Sequence, residues 1–193
     1  MTKSANQTKD KILEAANALF YRDGVRATGV DAIAARAGIT KRSLYYHFRS
    51  KDDLVEAYLI SRDEPNLAAF RRWFGLPDCC LEDRIAGLFE GLKRATRHPD
   101  WRGCGFLRTA GELANMPGHP AVRAAARHKQ AIESWLAGEF SAAGVAEADS
   151  LARSMLLLID GAFSAMLVHH DTDYIDAAAA AARDLCAMAQ AKG

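Results

Sequence analysis

The spacing of apolar residues predicts a regular helix near the N-terminus. Four of them recur at helical intervals and share one face, namely Ile12, Ala16, Leu19 and Phe20. Gly24 follows this run, and glycine is common just past a helix C-terminus because it tolerates a positive φ. The pattern therefore predicts that the first helix ends near Gly24.

Three hydroxyl residues stand where helix N-caps are expected. Thr28, Thr40 and Ser50 each come just before a predicted helix, and an acidic residue follows three positions after the first and the third. Gly38 lies between the second and third helices, so the turn that joins them is short. Two short helices joined by a tight glycine-containing turn are typical of a helix-turn-helix, whose second helix enters the major groove of DNA.

The helical pattern continues to the end of the chain and predicts an all-α fold. A fourth helix starts after Ser50 and continues through Pro65, which removes one backbone hydrogen bond and should kink the helix. The first clear break follows at Gly75. The predicted helices after the first lie near 30–37, 41–47, 50–74, 81–97, 104–114, 120–142, 147–169 and 173–190.

The last two predicted helices are the most apolar. The first of them carries a continuous apolar run from Met155 to Ile159, and the second carries six consecutive alanines from Ala177 to Ala182. A helix that is apolar around most of its circumference must be buried on most sides, and alanines let a neighbouring backbone approach closely. We therefore predict a homodimer through the last two helices. A bundle formed within one chain is the alternative.

Composition predicts a soluble chain that can bury a core rather than a membrane protein. Half of the 193 residues are hydrophobic and a quarter are charged, and no apolar run reaches the ~20 residues needed to span a bilayer. The N-terminus lacks the apolar stretch of a signal peptide, so we expect a cytoplasmic protein. The four cysteines do not suggest a disulfide framework. Residues 1–62 carry a net charge of +4 and residues 63–193 carry −3, as expected for a DNA-binding head on an acidic body. The alternative is that this charge difference arises by chance.

The third predicted helix carries aromatic and basic side chains suited to DNA contact. Leu44 and Phe48 are four residues apart and should face the core. This leaves Tyr45 and Tyr46 facing outward, where a phenol can hydrogen-bond a phosphate and its ring can contact a sugar or a thymine methyl. Lys41 lies in the first turn, which reaches base edges in this docking mode. The alternative is that both tyrosines fill the small core.

Residues 8–54 resemble the N-terminal domain of the tetracycline-repressor (TetR) family. The resemblance rests on the stretch from Thr8 to Ala16 (TKDKILEAA) and on that from Asp31 to Leu54 (DAIAARAGITKRSLYYHFRSKDDL). It implies an all-α homodimer that binds a palindromic operator on double-stranded DNA and is, in most members, a repressor released by a small-molecule effector. The DNA contacts that it implies are Thr28, Thr40, Lys41, Arg42, Ser43, Tyr45, Tyr46, His47 and Lys51.

The resemblance also implies a division of the chain by function. Residues 1–54 would form the DNA-binding domain, the helix 50–74 would bridge to the body, and residues 75–193 would bind ligand and dimerise. Segments 102–106 and 119–123 resemble one common C-terminal variant of the family, whose ligands are diverse, so the effector does not carry over.

The predicted body contains many aromatic residues and a few polar ones that suit a small-molecule site. Such sites are mostly apolar with a small number of polar groups that orient the ligand. The alternative is that the aromatic residues simply form the core and the polar ones lie on the surface. The candidate effector-binding residues are Trp73, Phe89, Trp101, Cys104, Arg108, Glu112, His128, Trp135 and Phe163.

Cys104 suggests a different way of sensing. It follows Arg102 by two residues at an expected helix start, and both a cation and a helix N-terminus favour the reactive thiolate. A redox- or electrophile-sensing repressor is therefore an alternative function, although a small buried side chain is the simpler interpretation of Cys104.

Catalytic and packaging functions have less support. The chain has no Gly-rich phosphate loop, no nucleophile elbow and no tight metal-ligand spacing, so we predict no enzyme activity, no metal and no cofactor. A cysteine-dependent enzyme acting through Cys104 is a remote alternative. A non-specific DNA-packaging protein would need more positive charge than the +4 of the N-terminal region.

Overall fold

The computed structural model describes the backbone of residues 2–191 and the side chains of residues 6–191. Within that range the chain forms nine α-helices and no strand, which confirms the all-α prediction. The helices are α1 (Thr2–Asp23), α2 (Val30–Ala37), α3 (Lys41–His47), α4 (Lys51–Phe74), α5 (Leu81–Thr96), α6 (Gly105–Glu112), α7 (Pro120–Ala142), α8 (Ala148–His169) and α9 (Asp173–Gln190).

Local signals account for several of the helix ends. Gly24, Gly38 and Gly75 all have positive φ just after a helix, where a side chain would be strained. The Thr40 side chain accepts a hydrogen bond from the backbone N–H of Ser43 at 3.1 Å, and Ser50 accepts one from Asp53 at 3.0 Å. Both predicted N-caps are therefore confirmed.

The predicted N-cap at Thr28 is wrong. Gly29 is the N-cap of α2, with extended φ and ψ of −84° and 153° and no side-chain hydrogen bond. The Thr28 hydroxyl instead donates to the carbonyl of Gly24 at 2.7 Å, and the residue is buried. The hydroxyl thus stabilises the turn between α1 and α2.

The described residues fall into two compact units. The first combines the chain up to Asp63 with Gly105–Ala126, and the second combines Glu64–Cys104 with the chain from Arg127 onward. The backbone passes between the units within α4, before α6 and within α7. The predicted division at residues 54 and 75 stays a prediction.

The first unit is built on a small core from α1 to α4. This core is apolar and almost fully buried, as the interior of a small helical domain requires. Tyr58 of α4 lies against Phe20 with ring centroids 5.6 Å apart, and its hydroxyl lies where a Cβ at Gly105 would be, 2.7 Å away. Buried members include Ile12, Ala16, Phe20, Ile33, Leu44, Phe48, Leu54 and Leu59.

The second unit has the larger core, in which α9 packs on α5 and α8. A close approach is made by Trp73 of α4, because a Cβ added at Gly91 of α5 would lie 2.1 Å from the Trp73 Cγ. Fully buried members include Phe74, Phe89, Leu92, Ile132, Leu136, Phe140, Met155 and Ile159.

Helix α8 is apolar on more sides than the core covers. Leu157 and Val168 are 69% and 72% exposed, although Met155 and Ile159 on the opposite face are fully buried. By length and composition alone α8 could cross a membrane. Core helices of soluble proteins meet the same two criteria.

Candidate DNA-binding interface

Helix α3 is held by two apolar residues and exposes the residues between them. Leu44 and Phe48 are 0% and 5% exposed and fix the inner face of the helix. Tyr46 is 83% exposed and Tyr45 is 43% exposed. The prediction that both tyrosines face outward is therefore confirmed, and the alternative that they fill the core is wrong.

The outer surface of α3 combines aromatic rings with hydrogen-bonding groups. The Tyr46 ring meets the His47 ring edge-on, with centroids 5.2 Å apart and an interplanar angle of 89°. This contact restricts both side chains, and Tyr46 stays exposed. Arg42 is also exposed, so α3 offers a guanidinium, a phenol and an imidazole along one surface.

The first turn of α3 is tied to the first turn of α2. The Lys41 ammonium lies 3.0 Å from Oδ2 of Asp31, and both side chains are largely exposed. Ser43 is partly buried, and its backbone N–H is bonded to the Thr40 hydroxyl. Because that cap occupies the N–H of Ser43, the Thr40 side chain is oriented before any ligand arrives.

Lys51 opens α4 and is partly buried. Burial lowers the pKa of its ammonium, and the carboxylates of Asp52 and Glu112 act in the opposite direction without cancelling the effect. A lysine in this state gains from an additional anion, since a phosphate would restore the stability of the charged form. The start of α4 is also a helix N-terminus, where backbone N–H groups favour anions.

Helix α6 is bonded to the end of α1 and to the turn that follows it. The Arg108 guanidinium donates to the carbonyl of Tyr21 at 2.7 Å. The Glu112 carboxylate accepts the backbone N–H of Arg26 at 2.8 Å, and the Arg26 guanidinium donates to Asn115 at 3.2 Å. Arg108 and Glu112, predicted as effector-binding residues, thus have partners within the first unit, and their role in ligand binding stays a prediction.

The segment before α7 contacts the start of α4 through a buried histidine. Nε2 of His119 lies 3.2 Å from Oδ1 of Asp52, and the imidazole is 2% exposed. The backbone N–H of Ala121 donates to Nδ1 of the same ring at 3.1 Å. Asp52 neighbours Lys51, so the ring holds the carboxylate beside a predicted phosphate contact.

The other seven candidate effector residues lie in the second unit. Phe89, Phe163 and His128 are buried, and His128 Nε2 lies 3.1 Å from the Asn66 side-chain oxygen. The other four are partly buried and pack against the core, as expected if these side chains serve packing rather than ligand binding. They are Trp73, Trp101, Cys104 and Trp135.

Specific contacts hold these aromatic rings in place. Trp101 lies against Phe163 with centroids 6.1 Å apart, and Trp135 meets Phe74 edge-on at 5.4 Å. The Trp135 indole N–H donates to Glu139 at 3.1 Å. Each ring therefore contributes to the core, and the pattern of the rings does not by itself separate packing from ligand binding.

Each unit has a surface cleft of its own. One of about 660 Å³ lies between the end of α7 and the start of α8, and the other, of about 420 Å³, lies between α1 and the end of α2. Neither is lined by any of the nine candidate effector residues.

Sequence comparison identifies related proteins. The family described as "Bacterial regulatory proteins, tetR family" matches residues 12–58, which extend from α1 into α4. The transcriptional repressor KstR2 of Mycobacterium tuberculosis is 33% identical over 131 residues, and the match covers 68% of this chain and 64% of the relative. The regulator TtgR of Pseudomonas putida is 42% identical over 62 residues, 32% of this chain and 30% of its own length.

Solved structures extend the similarity to nearly the whole chain. The tetR-type transcriptional regulator sav143 of Streptomyces avermitilis is 33% identical, with a TM-score of 0.77 over 91% of this chain and 97% of its own. SCO4454, a TetR-family regulator of Streptomyces coelicolor, is 26% identical, with a TM-score of 0.81 over 95% and 96%. The outward aromatic and basic surface of α3, the helical fold and these relatives lead to one conclusion: the chain belongs to the TetR family of bacterial transcriptional regulators.

Proposed function

We propose that this protein is a homodimeric transcriptional repressor that binds a palindromic operator through α3 and is released by a small-molecule effector. The observation that carries the proposal is the exposure of Tyr46 and Tyr45 on a helix whose other face is fixed by Leu44 and Phe48. Large aromatic side chains on a short basic helix are costly to hydrate and are well suited to sugar, phosphate and thymine methyl groups. The names of relatives such as KstR2, a repressor, support the direction of regulation.

The residues of the interface have different roles in this proposal. Lys41 and Arg42 in the first turn of α3 reach base edges, and an arginine can bind guanine through two hydrogen bonds. Thr40 and Lys51 contact phosphates at helix starts. Ser43, Tyr45, Tyr46 and His47 line the groove. Thr28 has no DNA contact in this proposal, because the residue is buried and its hydroxyl donates to the carbonyl of Gly24.

Dimerisation in the proposal uses the exposed apolar faces of α8 and α9. Leu157 and Val168 of α8 and Met188 of α9 are more than half exposed, which is unfavourable in water unless another surface covers them. A second copy of the chain is the partner that the family suggests. The dimer would hold its two α3 helices about 34–36 Å apart, so that they enter successive major grooves.

Release requires an effector that favours a form with the wrong α3 spacing. A ligand shifts this equilibrium only by the difference between its affinities for the two forms. Helix α4 continues from the first unit into the second, and α6 is bonded to the end of α1 through Arg108 and to the following turn through Glu112. We therefore expect a ligand bound in the second unit to change the position of α3 through α4 and α6.

The effector site is proposed among the aromatic residues of the second unit, with Cys104 as a separate means of sensing. Cys104 is partly buried and packs against the core, which favours a packing role. Operator release by a quinone or a peroxide should therefore be equal in the wild type and in Cys104→Ser. A response lost only in the variant would support the redox alternative. We propose a cytoplasmic location, since that is where a bacterial operator would be bound.

The test begins with genomic DNA fragments bound by the purified protein, sequenced to find the operator. Tyr46→Ala and Lys41→Ala should each abolish the shift of that operator in gel electrophoresis while the variants remain folded dimers. Tyr46→Phe is the matched control, because it keeps the ring and removes only the hydroxyl. Unchanged operator affinity in both alanine variants would contradict the proposed function.

A further inference from the structure

The carboxylate of Asp31 lies on the surface that the proposed function turns toward DNA. Its Oδ2 is 3.0 Å from the Lys41 ammonium, and the Asp31 side chain is 76% exposed. Asp31 belongs to the first turn of α2 and Lys41 to the first turn of α3, so one ion pair connects the two helices of the helix-turn-helix at their N-terminal ends.

Stability alone does not explain this pair. An exposed ion pair between flexible side chains contributes little to folding because water and salt screen it. Asp31 does favour the N-terminus of α2 through the helix dipole, particularly since Gly29 provides no side-chain cap. That role needs a negative charge in the first turn, but it does not need Lys41.

A carboxylate at a DNA-binding surface has a predictable effect. Every duplex presents phosphates, so a negative charge weakens binding to all sequences alike. In the major groove, however, a carboxylate can accept a hydrogen bond from the amino group of cytosine. Asp31 also holds the Lys41 ammonium. Without the Asp31 carboxylate, this ammonium would be free to contact the nearest phosphate.

We propose that Asp31 is a specificity-determining residue, which restrains Lys41 and lowers the affinity for non-operator DNA. This inference rests on the proposed function, because it requires α3 to enter DNA. When the Asp31 carboxylate is removed, Lys41 gains a phosphate contact on any sequence. Non-specific binding then strengthens more than operator binding does.

The experiment measures the affinity of the full-length protein for the operator and for a scrambled duplex across a range of salt concentrations. Asp31→Asn should raise affinity for the scrambled duplex several-fold at low salt and steepen its log–log salt dependence by about 0.9, the value for one additional phosphate contact. The ratio of operator to scrambled affinity should fall. Asp31→Glu should restore the wild-type ratio, since it keeps the charge.

Asp23→Asn is the matched control for charge. Asp23 is an exposed carboxylate in the same unit and pairs with Arg22 at 2.7 Å, at the end of α1 rather than beside α3. It should change neither the ratio nor the salt dependence beyond experimental error. Equal effects of Asp31→Asn and Asp23→Asn would overturn the inference.

A double variant separates action through Lys41 from a general charge effect. In a Lys41→Ala background, Asp31→Asn should no longer steepen the salt dependence on scrambled DNA. An undiminished effect in that background would also overturn the inference. If the wild type shows no preference for any duplex, the proposed function itself fails. If the wild type prefers its operator and Asp31→Asn has the same ratio of operator to scrambled affinity, only the inference about Asp31 fails.

Discussion

The buried imidazole of His119 is bonded on both sides, to Asp52 through Nε2 at 3.2 Å and to the backbone N–H of Ala121 through Nδ1 at 3.1 Å. Because Nδ1 accepts a hydrogen bond, it carries no proton, and the ring hydrogen lies on Nε2 and points to the carboxylate. The ring therefore joins the segment before α7 to the first turn of α4.

This geometry predicts different effects for two substitutions of Asp52. Asp52→Ala removes the acceptor and should lower the free energy of unfolding by about 1 kcal/mol. Asp52→Asn should cost less, because its amide oxygen still accepts from Nε2. Urea denaturation of the two variants measures the difference, and equal losses would show that the hydrogen bond contributes nothing.

The turn after α1 makes a second prediction. Gly24 has a φ of +90°, and a Cβ there would lie 2.8 Å from Oε1 of Glu112, the carboxylate that accepts the N–H of Arg26. Gly24→Ala should therefore lower the free energy of unfolding by about 1–3 kcal/mol, through backbone strain and through displacement of Glu112. Thermal or urea denaturation measures the loss.

Gly111→Ala is the control for this variant. Gly111 lies within α6 with open space around its added Cβ, so the change should raise stability by about 0.5–1 kcal/mol. In a Glu112→Ala background, the cost of Gly24→Ala should fall to that of backbone strain alone. A cost that stays the same would show that Glu112 does not restrict the turn.

The proposed dimer predicts that one exposed leucine is essential for assembly. Leu157→Glu places a charge on the apolar face of α8, where the residue is 69% exposed, and should convert the dimer to a folded monomer. Light scattering after gel filtration measures the mass. Ile60→Glu on α4 is the control, because Ile60 is 56% exposed and undergoes the same change. A dimer that survives Leu157→Glu, or is lost equally with Ile60→Glu, would contradict the α8–α9 interface.

The cysteines should differ strongly in reactivity. Burial raises the pKa of the Cys186 thiol from 9.0 to about 11, and the nearby Glu82 and Cys80 add to the effect. At pH 8 its thiolate fraction should therefore be roughly a hundredfold below that of an ordinary thiol. Mass spectrometry after alkylation should find exposed Cys79 modified first and Cys186 modified only after unfolding. Equal alkylation rates of Cys79 and Cys186 in the folded protein would refute the predicted difference in reactivity.

The sequence predicted the helices well because their signals are local. Apolar spacing, glycine after a helix and a hydroxyl before one act over a few residues, and the positions of α2, α3 and the caps at Thr40 and Ser50 follow from them. Thr28 shows the limit of such reasoning. Its hydroxyl could cap α2 or turn back to the carbonyl of Gly24, and only the path of the turn decided between them.

The sequence by itself determined an all-helical chain and an outward-facing α3, since both depend on intervals of three to four residues. Only the tertiary structure decided which distant groups meet. Glu112 bonds to Arg26 across 86 positions, and Arg108 bonds to Tyr21 across 87. No local pattern encodes such pairs, because any exposed carboxylate or guanidinium would look the same along the chain. Packing alone brings these particular groups within hydrogen-bonding distance.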